Sequence, residues 1–147
     1  MRIVSLIVAL VSVVACGGGA TQPASPSVVG VWSLQTYNGN PLPYTGTPEQ
    51  TPGGIAINQA TGGELEFGGG SYTVSISIIR TVNGTQVFNQ NYSEIGTYTA
   101  TSTGVVMRPF DIPGSSPSQA APAVSATVSG STISFLQQGK PLTFVKR

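Results

Sequence analysis

Ser71-Tyr72-Thr73-Val74-Ser75-Ile76-Ser77-Ile78 alternates without a lapse. Tyr72, Val74, Ile76 and Ile78 share one face, and Ser71, Thr73, Ser75 and Ser77 share the other. This is the pattern of an antiparallel strand with one face buried and one wetted. Asn83-Gly84 follows, the pair best able to take the positive φ angles of a two-residue hairpin turn. The stretch therefore predicts a strand running to about Val82 that turns back into a partner over residues 85–92.

Working outward, the same signals recur on both sides. Upstream, residues 28–37 form a strand ending at Asn38-Gly39. Residues 55–58 offer a short strand, and residues 63–67 form another that buries Leu65 and Phe67 with Glu64 and Glu66 outward. Downstream, residues 94–101 carry Tyr98, and Ser102-Thr103-Gly104 turns them into 105–110. Residues 123–128 turn at Ser129-Gly130 into 132–136, and Gln138-Gly139-Lys140 turns again into 142–146. From residue 28 onward Gly, Pro, Ser and Thr interrupt every window long enough for an amphipathic helix. The prediction is an all-β domain: an antiparallel up-and-down meander of about eight to nine strands, after an N-terminal signal helix. A meander of that length is expected to close into a barrel, because closure removes exposed edges. Two long connections, 38–54 with its four prolines and 111–122, read as irregular loops.

Composition narrows the functional classes. The chain has 147 residues, one domain's worth, and its polarity comes from 17 Ser and 16 Thr. Charged residues make up 7%, against roughly 25% in ordinary soluble domains. No basic surface for nucleic acid is present. With no His in the sequence, a His triad or His metal site is excluded.

The N-terminus reads as an export signal. Met1-Arg2 is followed by an apolar run from Ile3 to Ala15, too short for a membrane-spanning helix of about 20 residues. The run ends in Val13-Val14-Ala15-Cys16-Gly17. Cys16 is the only cysteine, so it has no partner within the chain. These residues resemble a bacterial lipobox. The resemblance implies a diacylglyceryl group on the Cys16 sulfur, cleavage after Ala15 and an acylated new amino terminus. The alternatives are a plain secretory signal with a free thiol and an uncleaved apolar helix. More than one acyl chain gives stable anchoring where one does not. In a bacterium with two membranes, the resemblance with Gly17 after the Cys implies the outer membrane, on its periplasmic or outer face. Residues 16–27 then form a lipidated Cys and a Gly/Pro/Ser tether, which spans at most about 35–40 Å. The remaining domain, 28–147, carries five basic and five acidic side chains, so nothing in its charge draws it to anionic lipid.

Gly30-Val31-Trp32 lies in the first strand, followed by Tyr37-Asn38-Gly39-Asn40-Pro41-Leu42-Pro43. Later come Gly96-Thr97-Tyr98-Thr99, residues 127–135, and the closing Leu142-Thr143-Phe144-Val145-Lys146-Arg147. Together these resemble the small lipocalin-like domains of bacterial envelope lipoproteins, across roughly residues 28–147. The resemblance implies a lipocalin-like barrel with a central apolar cavity. It also implies structural roles for Gly30 and Trp32, with Arg147, or second to it Lys146, covering the Trp32 ring. A C-terminal helix and a disulfide, usual in larger lipocalins, are absent from the sequence.

Chemistry-bearing residues are few. Glu64 and Glu66 share a strand face, and two carboxylates can hydrolyse a glycoside when they flank it. Beside Leu65 and Phe67 they read instead as a solvated face, and Glu49, Glu94 and Asp111 as isolated surface acids. No acidic cluster has the density a Ca²⁺ site needs, and no base stands ready to activate a Ser or Thr. Gly68-Gly69-Gly70 lacks the Lys and helix of a phosphate loop and reads as a turn. The apolar strand residues Tyr72, Val74, Ile76, Ile78, Tyr98, Val105, Met107, Ile133, Phe135 and Phe144 fit either a filled core or a cavity wall. Of these, Tyr72, Val74, Ile76, Ile78, Tyr98, Met107, Ile133 and Phe135 are the ligand-binding candidates. The expectation is a non-enzymatic, lipid-anchored envelope protein without cofactor or metal, its barrel mouth taking a small hydrophobic ligand. The alternative is a filled scaffold that meets another envelope protein through loop 38–54 or 111–122. An enzyme would require at least two of Glu49, Glu64, Glu66, Glu94 and Asp111 to converge in a cleft.

Overall fold

The computed structural model describes residues 27–110 and 122–147. The signal segment, Cys16, the tether up to residue 26 and residues 111–121 lie outside the described residues. What is described is all-β. The strands are β1 (Gly30–Tyr37), β2 (Asn40–Pro41), β3 (Tyr44–Thr45), β4 (Glu49–Thr51), β5 (Gly54–Gly68), β6 (Ser71–Val82), β7 (Thr85–Ala100), β8 (Gly104–Pro109), β9 (Val124–Ser129), β10 (Thr132–Gln137) and β11 (Lys140–Lys146).

Strands β5 to β11 each pair antiparallel with the next in sequence, and β1 pairs with both β11 and β5. Eight strands thus close into an up-and-down antiparallel barrel. Positive φ is taken where the turn signals stand: Asn38-Gly39, Asn83-Gly84 and Gln138-Gly139. Such angles at both central residues match the right-handed twist of the flanking strands.

Three sequence expectations are corrected. Residues 55–58 and 63–67 belong to one strand, β5, and residues 85–92 and all but the last of 94–101 belong to one strand, β7. In both cases β6 templates the neighbour along nearly its whole length, so pairing carries the strand through residues whose own pattern lapses. Loop 38–54 is not irregular throughout, since it holds β2, β3 and β4. These short strands cap existing edges: β2 lies on the end of β1, while β3 and β4 lie on the upper part of β5.

Inward-facing residues alternate around the ring and fill the lower barrel. Trp32, Leu65, Phe67, Tyr72, Phe144 and Ile133 are all 2% exposed or less. Trp32 donates its indole N–H to the Val28 carbonyl at 2.9 Å, satisfying the one polar group the ring buries. Phe135 stacks on Phe144 with centroids 5.6 Å apart, and Phe67 meets Tyr98 edge-on at 4.8 Å. Gly96 makes room for the Tyr72 ring, because a Cβ there would sit 2.6 Å from its Cε1 and closer still to the Arg108 carbonyl oxygen.

Strands β5, β6 and β7 are much longer than the other five in the ring. Their lower parts close the barrel, and their upper parts rise past it as an overhang. Asn83 ties its tip: its amide accepts from the Ile55 N–H at 3.0 Å and donates to the Gly53 carbonyl at 3.1 Å.

Candidate binding site at the barrel mouth

Above the packed interior, the overhang faces the upper ends of β1, β10 and β11. Between them lies a half-open hollow of about 160 Å³, with Ile76, Ile78 and Leu142 supplying apolar surface. Tyr37, Tyr92, Gln137 and Lys140 supply polar groups around it. A second, more polar hollow of about 420 Å³ adjoins it and shares Tyr37, Ile78 and Lys140. Small-molecule sites usually measure about 300–1,000 Å³. The inner hollow alone falls short of that range, and the outer one extends it.

A polar cluster stands on the wall between core and mouth. The Tyr72 hydroxyl donates to Glu94 Oε1 at 2.7 Å, and the Tyr92 hydroxyl donates to Oε2 at 3.0 Å. The Gln137 amide reaches across the barrel and donates to Glu94 Oε2 at 3.3 Å. Three donors thus hold one half-buried carboxylate in the wall, through hydrogen bonds that its charge strengthens. Burial, and then the hydrogen bond to Glu94, push the Tyr72 phenol far above the ordinary tyrosine range. Burial and the Glu94 charge raise Tyr92 as well. The other end of the Gln137 amide, Oε1, is buried with no hydrogen-bond partner among the described residues. On the opposite rim Lys140 Nζ donates to the Tyr37 hydroxyl at 3.2 Å. Among the described residues no carboxylate pairs with Lys140.

Of the sequence-derived ligand candidates, Ile76 and Ile78 line the inner hollow. Tyr72, Val74, Met107, Ile133 and Phe135 are buried in the packed interior, and Tyr98 is half-buried against Phe67. Tyr37, Tyr92, Glu94, Gln137, Lys140 and Leu142 were not singled out for the mouth. Glu94 is not the surface acid its sequence context suggests. It shares parity with Tyr98 and Tyr92 along β7, a period-two signal that places it inward. The other described acids lie elsewhere. Glu64 pairs with Arg147 on the outside, Glu66 is exposed, and Glu49 meets Arg80 at 3.6 Å on the overhang.

The expected cover of Trp32 is also corrected. Lys146, not Arg147, lies over the indole, with Nζ 5.3 Å from the ring centroid. Lys146 also donates to the Ser27 carbonyl at 3.2 Å. Arg147 falls on the opposite face, where it pairs with Glu64 and the Ser33 hydroxyl. Gly30, at φ 122°, opens β1 beside the Lys146 stem.

No family model, curated protein or solved structure matches this chain.

Proposed function

We propose that this is a non-enzymatic protein of the bacterial cell envelope, anchored by acyl chains on Cys16, that holds a small amphiphile at its barrel mouth. The periplasmic or outer face of the outer membrane is its proposed location. The apolar part of the ligand lies on Ile76, Ile78 and Leu142. Its polar end meets Gln137 and Lys140. The observation that carries this reading is the contrast along the barrel: a solid interior below, and a half-open hollow above with an apolar floor and donors at its rim. A few placed polar groups around apolar surface are what a small-molecule site needs.

Native mass spectrometry of the full chain after mild detergent extraction tests the binding. The expected result is a bound small molecule that is lost in Ile78→Asp, a change at a half-buried position rather than in the packed interior. A wild-type chain that always emerges empty overturns it. Incorporation of labelled fatty acid, abolished by Cys16→Ser, tests the anchor separately.

A further inference from the structure

The charges around the mouth are unevenly matched. Glu94 accepts from Tyr72, Tyr92 and Gln137. Arg80 and Glu49, on the overhang, pair with each other at 3.6 Å. Lys140 differs from both, because among the described residues it meets no carboxylate. Its Nζ reaches the Tyr37 hydroxyl at 3.2 Å and lies 5.4 Å from the centroid of the Tyr37 ring.

Hydrogen-bond donors are also in excess there. A phenol is donor and acceptor at once. The Tyr37 hydroxyl accepts from Lys140, and the Tyr44 hydroxyl accepts from the Asn38 amide at 3.0 Å. Both have used their accepting side, and among the described residues neither proton meets an acceptor. The two rings stand side by side, with centroids 5.7 Å apart. Tyr37, Tyr44 and Lys140 all line the outer hollow, and Tyr37 and Lys140 line the inner one as well. The unused donors and the unmatched positive charge therefore gather where the apolar floor gives way to the polar hollow.

We propose that the mouth selects amphiphiles with an anionic head, a carboxylate or a phosphate, seated on Lys140 and the Tyr37 and Tyr44 hydroxyls. This selectivity rests on the reading above that the mouth holds an amphiphile. An ionised carboxylate only accepts hydrogen bonds, and a phosphate supplies three accepting oxygens. Donors aimed at an ionised acceptor form stronger bonds than donors aimed at a neutral one. A neutral polyol answers the hydroxyls but leaves the ammonium without a counter-charge, and a cationic head is repelled by it. The outer hollow, about 420 Å³ against about 160 Å³ for the inner one, has room for a head bulkier than the acid itself.

The test is isothermal titration of the full chain held in phosphatidylcholine nanodiscs, with empty discs as the blank. The probes share a hexyl tail: hexyl glucuronide, hexyl glucoside, hexyl phosphate and hexylammonium. The glucuronide and the glucoside differ at one carbon, a carboxylate in place of a hydroxymethyl group. The expected result is that at least one acid binds about three- to tenfold tighter than the glucoside, as an exposed ion pair with added hydrogen bonds gives. Hexylammonium binds weakest. Whichever acid binds tighter tells carboxylate from phosphate. Added salt weakens the acids and not the glucoside. Lys140→Gln brings the acids level with the glucoside, whereas Lys140→Arg keeps the preference. Tyr44→Phe, which keeps the ring, weakens the acids more than the glucoside. A glucoside bound as tightly as both acids overturns the anionic head and leaves the mouth an amphiphile site, as does a preference that survives Lys140→Gln. A chain that binds none of the four overturns the amphiphile reading itself, and this inference with it.

Discussion

The Tyr72 phenol and the Glu94 carboxylate meet at 2.7 Å across the β6–β7 ladder, at the boundary between the filled barrel and its mouth. Tyr72 is almost wholly buried, so its hydroxyl has no ready substitute for this acceptor. Tyr72→Phe keeps the ring packing and removes one of three donors to Glu94. The expected loss is about 1–3 kcal/mol of stability, since the bond goes to a charged group. Chemical denaturation of the variant checks it.

The same pair sets an alkaline limit. Burial and Glu94 keep the Tyr72 and Tyr92 protons on above tyrosine's ordinary value near 10. The unfolded chain releases them near that pH while the folded chain retains them. The unfolded state then binds fewer protons, so stability is fully present below about pH 10 and falls as pH rises beyond it. Ultraviolet difference titration is expected to show these two phenols ionising together with the unfolding transition. Smooth ionisation of all tyrosines in a folded chain contradicts this.

Lys146 and Arg147 are neighbours with opposite roles. Lys146 covers a buried indole and caps a carbonyl, whereas Arg147 forms an exposed pair. Lys146→Ala is expected to cost about 1–2 kcal/mol, from the cation–π contact and the stem's packing. Arg147→Ala is expected to cost less, about 0–1 kcal/mol, because water and salt screen the pair. Thermal melts of both variants give the order, and a reversed order contradicts the assignment of the cover.

Asn83 does three things at once. It takes φ 50° in the hairpin, accepts from Ile55 and donates to Gly53. Asn83→Ala is expected to cost about 1–2 kcal/mol, through a residue poorly suited to positive φ and two lost hydrogen bonds. The damage is local to the overhang. Hydrogen exchange should quicken in the upper parts of β5 and β6 and change little in β9 to β11.

Gly96 is a steric requirement. A methyl there meets the Tyr72 ring and the Arg108 backbone carbonyl. Gly96→Ala is expected to cost about 1–3 kcal/mol, as overpacking does in a tight interior. A variant as stable as wild type contradicts this, since both the Tyr72 ring and the Arg108 backbone would have to give way.

Much of this was readable in the chain, and the misreadings have identifiable causes. Parity places Leu142, Phe144 and Lys146 on one face of β11, so the Trp32 cover was present in the alternation and Arg147 had the wrong parity. Glu94 follows the same logic from Tyr98. The length of β5 was harder to read. A bulge at Thr61 shifts the alternation, so that Ala60 pairs with Ile78 and Gly63 with Ile76. A period-two pattern broken by one residue, through small and polar side chains, carries no strand signal of its own.

The chain's local chemistry was sufficient for the β class, the Asn-Gly turns and the buried face of β6. These depend on side-chain alternation and on φ preferences within a few residues. Closure, the open mouth and the overhang depend on which distant strands meet. The lower part of β5 joins β1 while its upper part leaves it for β3 and β4, and β8 stops short of the upper part of β7. Backbone hydrogen bonding is nearly indifferent to side-chain identity, so no single stretch announces where a long strand loses its neighbour. That is settled only when the whole ring is assembled and each carbonyl and N–H finds, or fails to find, a partner.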